Sequence, residues 1–265
     1  MHLGATLGMG LIVAVIFPST IGAQATGDQA RLVFTVSAGA VTGQQLWSTA
    51  SQPLHFTTPA DTLDLSRRIR STLAIGFGGA YFPGTTFGLT LEGFLLGLGY
   101  EDSCTHVFSS GSPAVSAVCS SIQGTSRAAT AVALSVGTIF RINSRRPLSP
   151  YGRVNAGLIF SNQSSVRMMG QYQTATGPAD LLVYADEKSS RVDPGLAVGL
   201  GVTAAIAKGY NLRWEIRDNI VGIHRVTAAT PQAGIAPPIE RSYKHLFSVT
   251  FGFDVVLERR RGRRY

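Results

Sequence analysis

NLRWEIR, residues 211–217, alternates without exception: Leu212, Trp214 and Ile216 fall on one side, Arg213, Glu215 and Arg217 on the other. A repeat of two puts successive side chains on opposite faces of a β-strand. The charged face then decides what kind of β-structure this is. Burying three ions in the dry core of a soluble sandwich demands extensive pairing. Turning them into a polar lumen, with the apolar face against hydrocarbon, removes much of that cost.

The same alternation recurs along the chain. The pattern predicts strands over 31–41, 68–82, 85–100, 127–142, 150–160, 194–207, 211–223 and 243–257. Their apolar faces are broad: Leu32, Phe34 and Val36 in the first; Phe247, Val249, Phe251 and Phe253 in the last. The opposite faces carry Arg, Glu, Asp, Asn, Thr and Gly. Leu96 and Leu98 blur the third strand, and Asp218 breaks the phase of the seventh, which reads as a bulge or the upper rim. Phe77, Tyr81, Phe87, Phe140, Phe160 and Trp214 lie near strand ends, where interfacial aromatic girdles sit.

The connections are unequal. Short turns at 83–85, 143–149 and 208–210 alternate with long segments at 42–67, 101–126, 161–193 and 224–242. An even strand count with every long loop at one end is the layout of an all-β, eight-stranded, antiparallel up-and-down transmembrane β-barrel, with short periplasmic turns and long extracellular loops. A soluble sandwich has no reason to sort its loops this way. Within the long segment before the second strand, 59–70 (PADTLDLSRRIR) is read as a short helical turn at the barrel mouth.

Composition bounds the rest. Hydrophobic residues make up 45% of the chain and charged ones 14%, which excludes a disordered polyelectrolyte. The net charge is +8, but five arginines lie in 259–264 (RRRGRR), so the body is only weakly basic and nucleic-acid binding is not indicated. Residues 7–17 (LGMGLIVAVIF) form an apolar run, and Ala23-Gln24-Ala25 reads as a cleavage site. Such a run is too short to span a bilayer as a helix. A signal peptide over 1–25, cleaved after Ala25, is therefore expected, followed by a barrel over 26–258 and a basic periplasmic tail over 259–265.

Taken together, these residues resemble the small OmpA/OmpX-type bacterial outer-membrane β-barrel superfamily over nearly all of 26–258. The last strand carries the most specific part of the resemblance. Its run Thr250-Phe251-Gly252-Phe253-Asp254-Val255-Val256-Leu257 resembles the C-terminal signal read by the barrel assembly machinery. Thr250, Gly252, Val255 and Leu257 occupy the signal positions, the last two being aliphatic where an aromatic is usual. The resemblance implies a bacterial outer-membrane location, contact with outer-membrane lipids, and a monomer.

Several residues carry candidate chemistry. Glu92, Arg153, Arg213, Glu215 and Asp254 fall on inward faces a few residues above the short-turn end, and are expected to meet at similar height in the lumen. An eight-stranded barrel is just wide enough inside for side chains, so a salt-bridge network there would fill it. Cys104 and Cys119, the only cysteines, share one long loop; in an oxidising compartment they read as a disulfide. No metal site or cofactor is indicated, since only His106 lies near them. His224 and His245, with Ser242 or Asp218 close in sequence, are candidates for a lipid-modifying site at the outer rim, though no nucleophile motif supports it. The tail Arg259–Arg264 is suited to anionic lipid headgroups or periplasmic cell-wall polymer.

The leading functional reading is a structural or interaction barrel acting through its extracellular loops, with a side-chain-filled lumen. A narrow channel for small polar solutes or ions is the alternative, and a rim enzyme the third. A lipocalin-like carrier needs an apolar interior and conflicts with the charged inward faces.

Overall fold

The computed structural model describes residues 31–56, 58–142, 147–186 and 192–258. The expected signal peptide, its cleavage site and the basic tail lie outside these residues. Eight strands close a barrel: β1 (Arg31–Val41), β4 (Thr72–Phe82), β5 (Phe87–Gly97), β8 (Thr130–Arg141), β9 (Leu148–Ser161), β12 (Val192–Ala207), β13 (Tyr210–Val226) and β14 (Ile239–Glu258). Each pairs antiparallel with the next, and β1 closes the ring against β14. The barrel is the eight-stranded up-and-down form read from the sequence.

The polarity is that of a membrane barrel. Leu73 is 77% exposed and Leu200 69%, whereas Asp254 is 1% exposed and Glu215 2%. On β14 the outward apolar series runs from Phe247 to Leu257. Ten residue steps at about 3.4 Å, tilted by about 40°, give a band about 26 Å tall, close to the ≈ 25 Å of such barrels. No helix among the described residues is long and apolar enough to cross a membrane.

The short turns follow from local chemistry. Between β12 and β13 only Lys208 and Gly209 remain, and Gly209 sits at φ +83°, a conformation that costs glycine nothing. The long connections are not loose loops. Strands β2 (Gln44–Leu54), β3 (Asp61–Ile69), β6 (Tyr100–Phe108) and β7 (Ser126–Arg127) form a four-stranded sheet in the order β2-β3-β6-β7. Strands β10 (Met168–Thr174) and β11 (Gly177–Tyr184) form a hairpin, and α1 (Pro113–Ile122) packs against it. Together they build a folded cap over one end of the barrel.

Several expectations change as a result. Residues 61–69 form β3 rather than a helical turn, because Leu63, Leu65 and Ile69 are buried at alternate positions under the sheet. Arg68 and Ile69 belong to β3, and the wall strand starts at Thr72. The third predicted strand divides between β5 and β6. Leu96 blurred its pattern because it faces an apolar part of the lumen. Phe94, Leu96, Ile159, Val221 and Leu246 at the barrel top share one core with Trp47, Val118, Met168 and Tyr184 of the cap. The lumen is therefore charged in its middle and greasy above. Of the two readings of Asp218, a bulge or the upper rim, the bulge does not occur: β13 and β14 pair in unbroken register from Tyr210↔Val255 to Val226↔Ile239.

Candidate functional site

Inward-facing positions of β5, β9 and β13 bring four ions together across the lumen. Arg153 Nε donates to Glu215 Oε1 at 2.7 Å, and its Nη2 donates to Glu92 Oε1 at 3.0 Å. Arg217 Nη2 donates to the other Glu92 oxygen at 2.6 Å, and its Nε donates to Glu215 Oε1 at 3.0 Å. Each carboxylate thus touches both guanidiniums and each guanidinium both carboxylates, closing a neutral ring. Tyr151 OH donates to Glu215 Oε2 at 2.6 Å, and the Asn155 amide approaches Glu92 at 3.4 Å. Buried charges are tolerated when they are paired and hydrogen-bonded, and no polar atom of this ring is buried without a partner.

Glycine at position 199 makes the ring possible. A Cβ there would stand 2.6 Å from Glu215 Oε1. A larger residue would push the carboxylate out of the geometry that both arginines use.

Arg213 and Asp254 lie in a separate pair. Arg213 Nη2 donates to Asp254 Oδ2 at 3.0 Å, and Thr35 Oγ1 donates to Asp254 Oδ1 at 2.7 Å. The five lumen ions named from the sequence thus fall into two groups. Arg217, the fourth member of the ring, was visible in the 211–217 alternation but not singled out. Arg141 was also passed over. It is 8% exposed, stacks 3.4 Å from the Phe82 ring centroid, and forms no ion pair among the described residues.

Little space remains inside. The cavity beside the ring, lined in part by Phe94, Asn155, Arg217 and Asn219, is about 30 Å³, room for about one water. At the short-turn end, Val33, Ala80, Phe82, Ile139 and Tyr151 pack together. The residues of this cluster and of the ring are each at most 9% exposed.

In the cap, Cys104 on β6 and Cys119 on α1 form a disulfide, with Cα atoms 5.4 Å apart. Arg67, 1% exposed, makes a two-point contact with Asp102 at 2.6 and 2.8 Å and lies over the rings of Trp47 and Tyr100. Burial pushes the phenols of Tyr100 and Tyr184 up to about 12. α1 escaped the sequence reading, although Val115, Val118, Cys119 and Ile122 recur at helical spacing and Pro113 stands at its start.

The rim histidines occupy different surroundings. His245 Nδ1 lies 2.7 Å from Asp218 Oδ2 on the outward face, just above Phe247. His224 Nδ1 lies 3.8 Å from Asp193. Ser242 sits three residues from His245 and so on the opposite face of β14. Among the described residues no serine hydroxyl joins either pair, so the arrangement lacks a nucleophile held for acyl transfer. Thr250 and Gly252 of the expected assembly signal line the inside of β14, at 4% exposure for the threonine, while Leu257 points outward. Among the described residues no cluster of side chains suits a metal ion.

No protein-family model matches the chain, and no curated protein matches it. Solved structures do. The outer membrane protein OprG from Pseudomonas aeruginosa is 10% identical with a TM-score of 0.50, over 88% of this chain and 98% of that one. Neisserial surface protein A is 10% identical with a TM-score of 0.41, over 85% and 97%. AlkL, solved in lipid bilayers by solid-state NMR, is 13% identical with a TM-score of 0.42, over 89% and 93%. At these identities the likeness is one of fold, that of an eight-stranded antiparallel β-barrel.

Proposed function

We propose that this chain is an outer-membrane barrel that does not conduct, and that its role is structural or adhesive, exercised through the cap. The observation that carries this reading is the ring of Glu92, Arg153, Glu215 and Arg217. A solute or ion crossing the lumen would have to part four mutually paired buried charges, each costly to leave alone. Above the ring it would then meet the apolar core shared by Phe94, Leu96 and the cap. A barrel closed at two levels has its freedom to vary on the outside, where the cap stands clear of the membrane band.

The outward Phe247–Leu257 series and the likeness of fold to OprG support an outer-membrane location. On the same reading, residues 1–25 direct export, and Thr250, Gly252, Val255 and Leu257 present the terminal strand to the assembly machinery. Liposome swelling tests the closed lumen. Proteoliposomes in small sugars or amino acids should swell no faster than empty liposomes, and rapid size-dependent swelling would replace this reading with the narrow channel.

A further inference from the structure

We infer that the cleft between β7 and the segment joining β9 to β10 binds a carboxylated sugar. The cleft lies in the cap, over the tops of β8 and β9. It measures about 570 Å³, within the range of about 300–1,000 Å³ typical of small-molecule sites. Arg127 of β7 and Arg167 of the joining segment line it, together with Asn162, Ser164, Met169 and Asp186.

Three observations carry the assignment. The first is a pair of guanidiniums without carboxylate partners. Arg127 is half-buried and Arg167 exposed, so both reach solvent. Neither forms an ion pair among the described residues, and the carboxylates of β6 are taken, Asp102 by Arg67 and Glu101 by Arg68. Arg167 Nη2 donates to the Met169 sulfur at 3.5 Å, a weak acceptor. A planar fork of donors left open in this way matches a carboxylate.

Second, the wall is braced. The buried Arg67 holds its backbone: Nη1 donates to Ser165 O at 2.9 Å and Nη2 to Arg167 O at 2.8 Å. Ser164 Oγ accepts from the amides of Val166 and Arg167. Asn162 Oδ1 accepts from Thr130 N at 2.9 Å, and its Nδ2 has no partner among the described residues. A ligand therefore meets donors already in place, which lowers the ordering cost of binding.

Third, the charges leave room for one anion. Asp102 neutralises Arg67, so the lining keeps two arginines and Asp186, one net positive charge. A single carboxylate balances it, whereas a phosphate monoester, with close to two charges, overshoots. Asp186 Oδ2 accepts from Ser164 Oγ at 2.6 Å, and its other oxygen is an acceptor with no partner among the described residues. Hydroxyl donors close to the carboxylate satisfy that oxygen, and ring C–H groups pack on Met169. An acid and several hydroxyls on one compact ring describe a uronic-acid type of sugar.

The inference rests on the cap as the working face of the protein, and it holds whether or not the lumen conducts; liposome swelling decides the lumen separately. The test is calorimetric titration of the full-length mature protein in detergent micelles with three probes: glucuronate, glucose and glucose 6-phosphate. Glucuronate should bind at least about tenfold more tightly than either of the others, as expected for gaining a charge-assisted hydrogen bond without excess charge. Arg127→Gln and Arg167→Gln should each weaken glucuronate binding about tenfold. Asn162→Asp, which keeps the oxygen that Thr130 N needs, should weaken it too by setting a like charge in the cleft. Heat-modifiable migration on gels reports whether each variant is folded. Equal binding of glucose and glucuronate overturns the proposal, as does tighter binding of glucose 6-phosphate. So does undiminished glucuronate binding in folded Arg127→Gln and Arg167→Gln, or the absence of any glucuronate binding.

Discussion

Arg217 Nη2 lies 2.6 Å from a carboxylate oxygen of Glu92, which stands 125 residues earlier and on the strand directly across the barrel. The contact ties opposite walls together through the middle of the lumen. Since Arg153 and Glu215 complete the ring, no member is supported by one partner alone.

Glu92→Gln should therefore destabilise the barrel by about 3–5 kcal/mol, because both arginines lose an anionic partner in a dry interior. Removing one ion of each sign, as in Glu92→Gln with Arg217→Met, leaves the neutral Arg153–Glu215 pair. The double variant should lose less than the sum of its singles, with a coupling of about 0.5–3 kcal/mol. Urea unfolding in lipid vesicles measures both. Strict additivity would mean that the ring is not a unit.

The outward face makes the opposite demand. Val249, 61% exposed on β14, lies in the apolar band. Val249 stands two steps below the top of that band, so Val249→Arg should cost about 1–2 kcal/mol in a bilayer, less than at the midplane. A neutral effect would mean that this face meets water, and the membrane assignment would fail with it.

Removing the disulfide should loosen the cap and spare the barrel. Cys104 and Cys119 are 15 residues apart, and closing a loop of that length is worth about 3 kcal/mol in the chain-entropy model. In Cys104→Ser/Cys119→Ser, limited proteolysis should cut within the cap at much lower protease concentration, while heat-modifiable migration stays as in the parent. Loss of both would show that the cap and barrel fold as one cooperative unit.

Alkaline titration reads the cap separately. The buried phenols of Tyr100 and Tyr184 are raised from 10.0 to about 12. An unfolded tyrosine ionises first, so the folded cap holds more protons between these values. The stability from each buried phenol is full below pH 10 and is lost as pH rises toward 12, roughly 2–3 kcal/mol per tyrosine. Absorbance of tyrosinate should show two phenols that resist ionisation until the cap opens. Free ionisation of every tyrosine near pH 10 would contradict their burial.

How much of this was legible beforehand depends on what each residue faces. The wall strands were readable because lipid on one side and ions on the other impose a strict repeat of two, as at Leu212–Arg217. The ring members were readable as inward charges, but their grouping was not. Which arginine meets which carboxylate depends on strand tilt and register across the barrel, and Asp254 proved to pair with Arg213 away from the ring. The cap segments read as loops in the sequence for a different reason. Their core is completed by the barrel top, so Leu63, Val118 and Met168 each belong to short elements whose partners lie far off in sequence. Asp218 breaks the phase of the alternation because an outward carboxylate violates the lipid rule. It is accommodated by His245 at the edge of the band, a partner 27 residues away.

Closure of the lumen is the claim on which the proposed role depends, and planar-bilayer recording addresses it directly. Inserted protein in symmetric potassium chloride should give a flat baseline across applied voltages. A variant with all four ring residues replaced by alanine should stay silent as well, because the apolar core shared with the cap still closes the lumen. Reproducible ohmic steps from the unaltered protein would contradict the account, because ions cannot traverse a centre in which Glu92, Arg153, Glu215 and Arg217 remain paired.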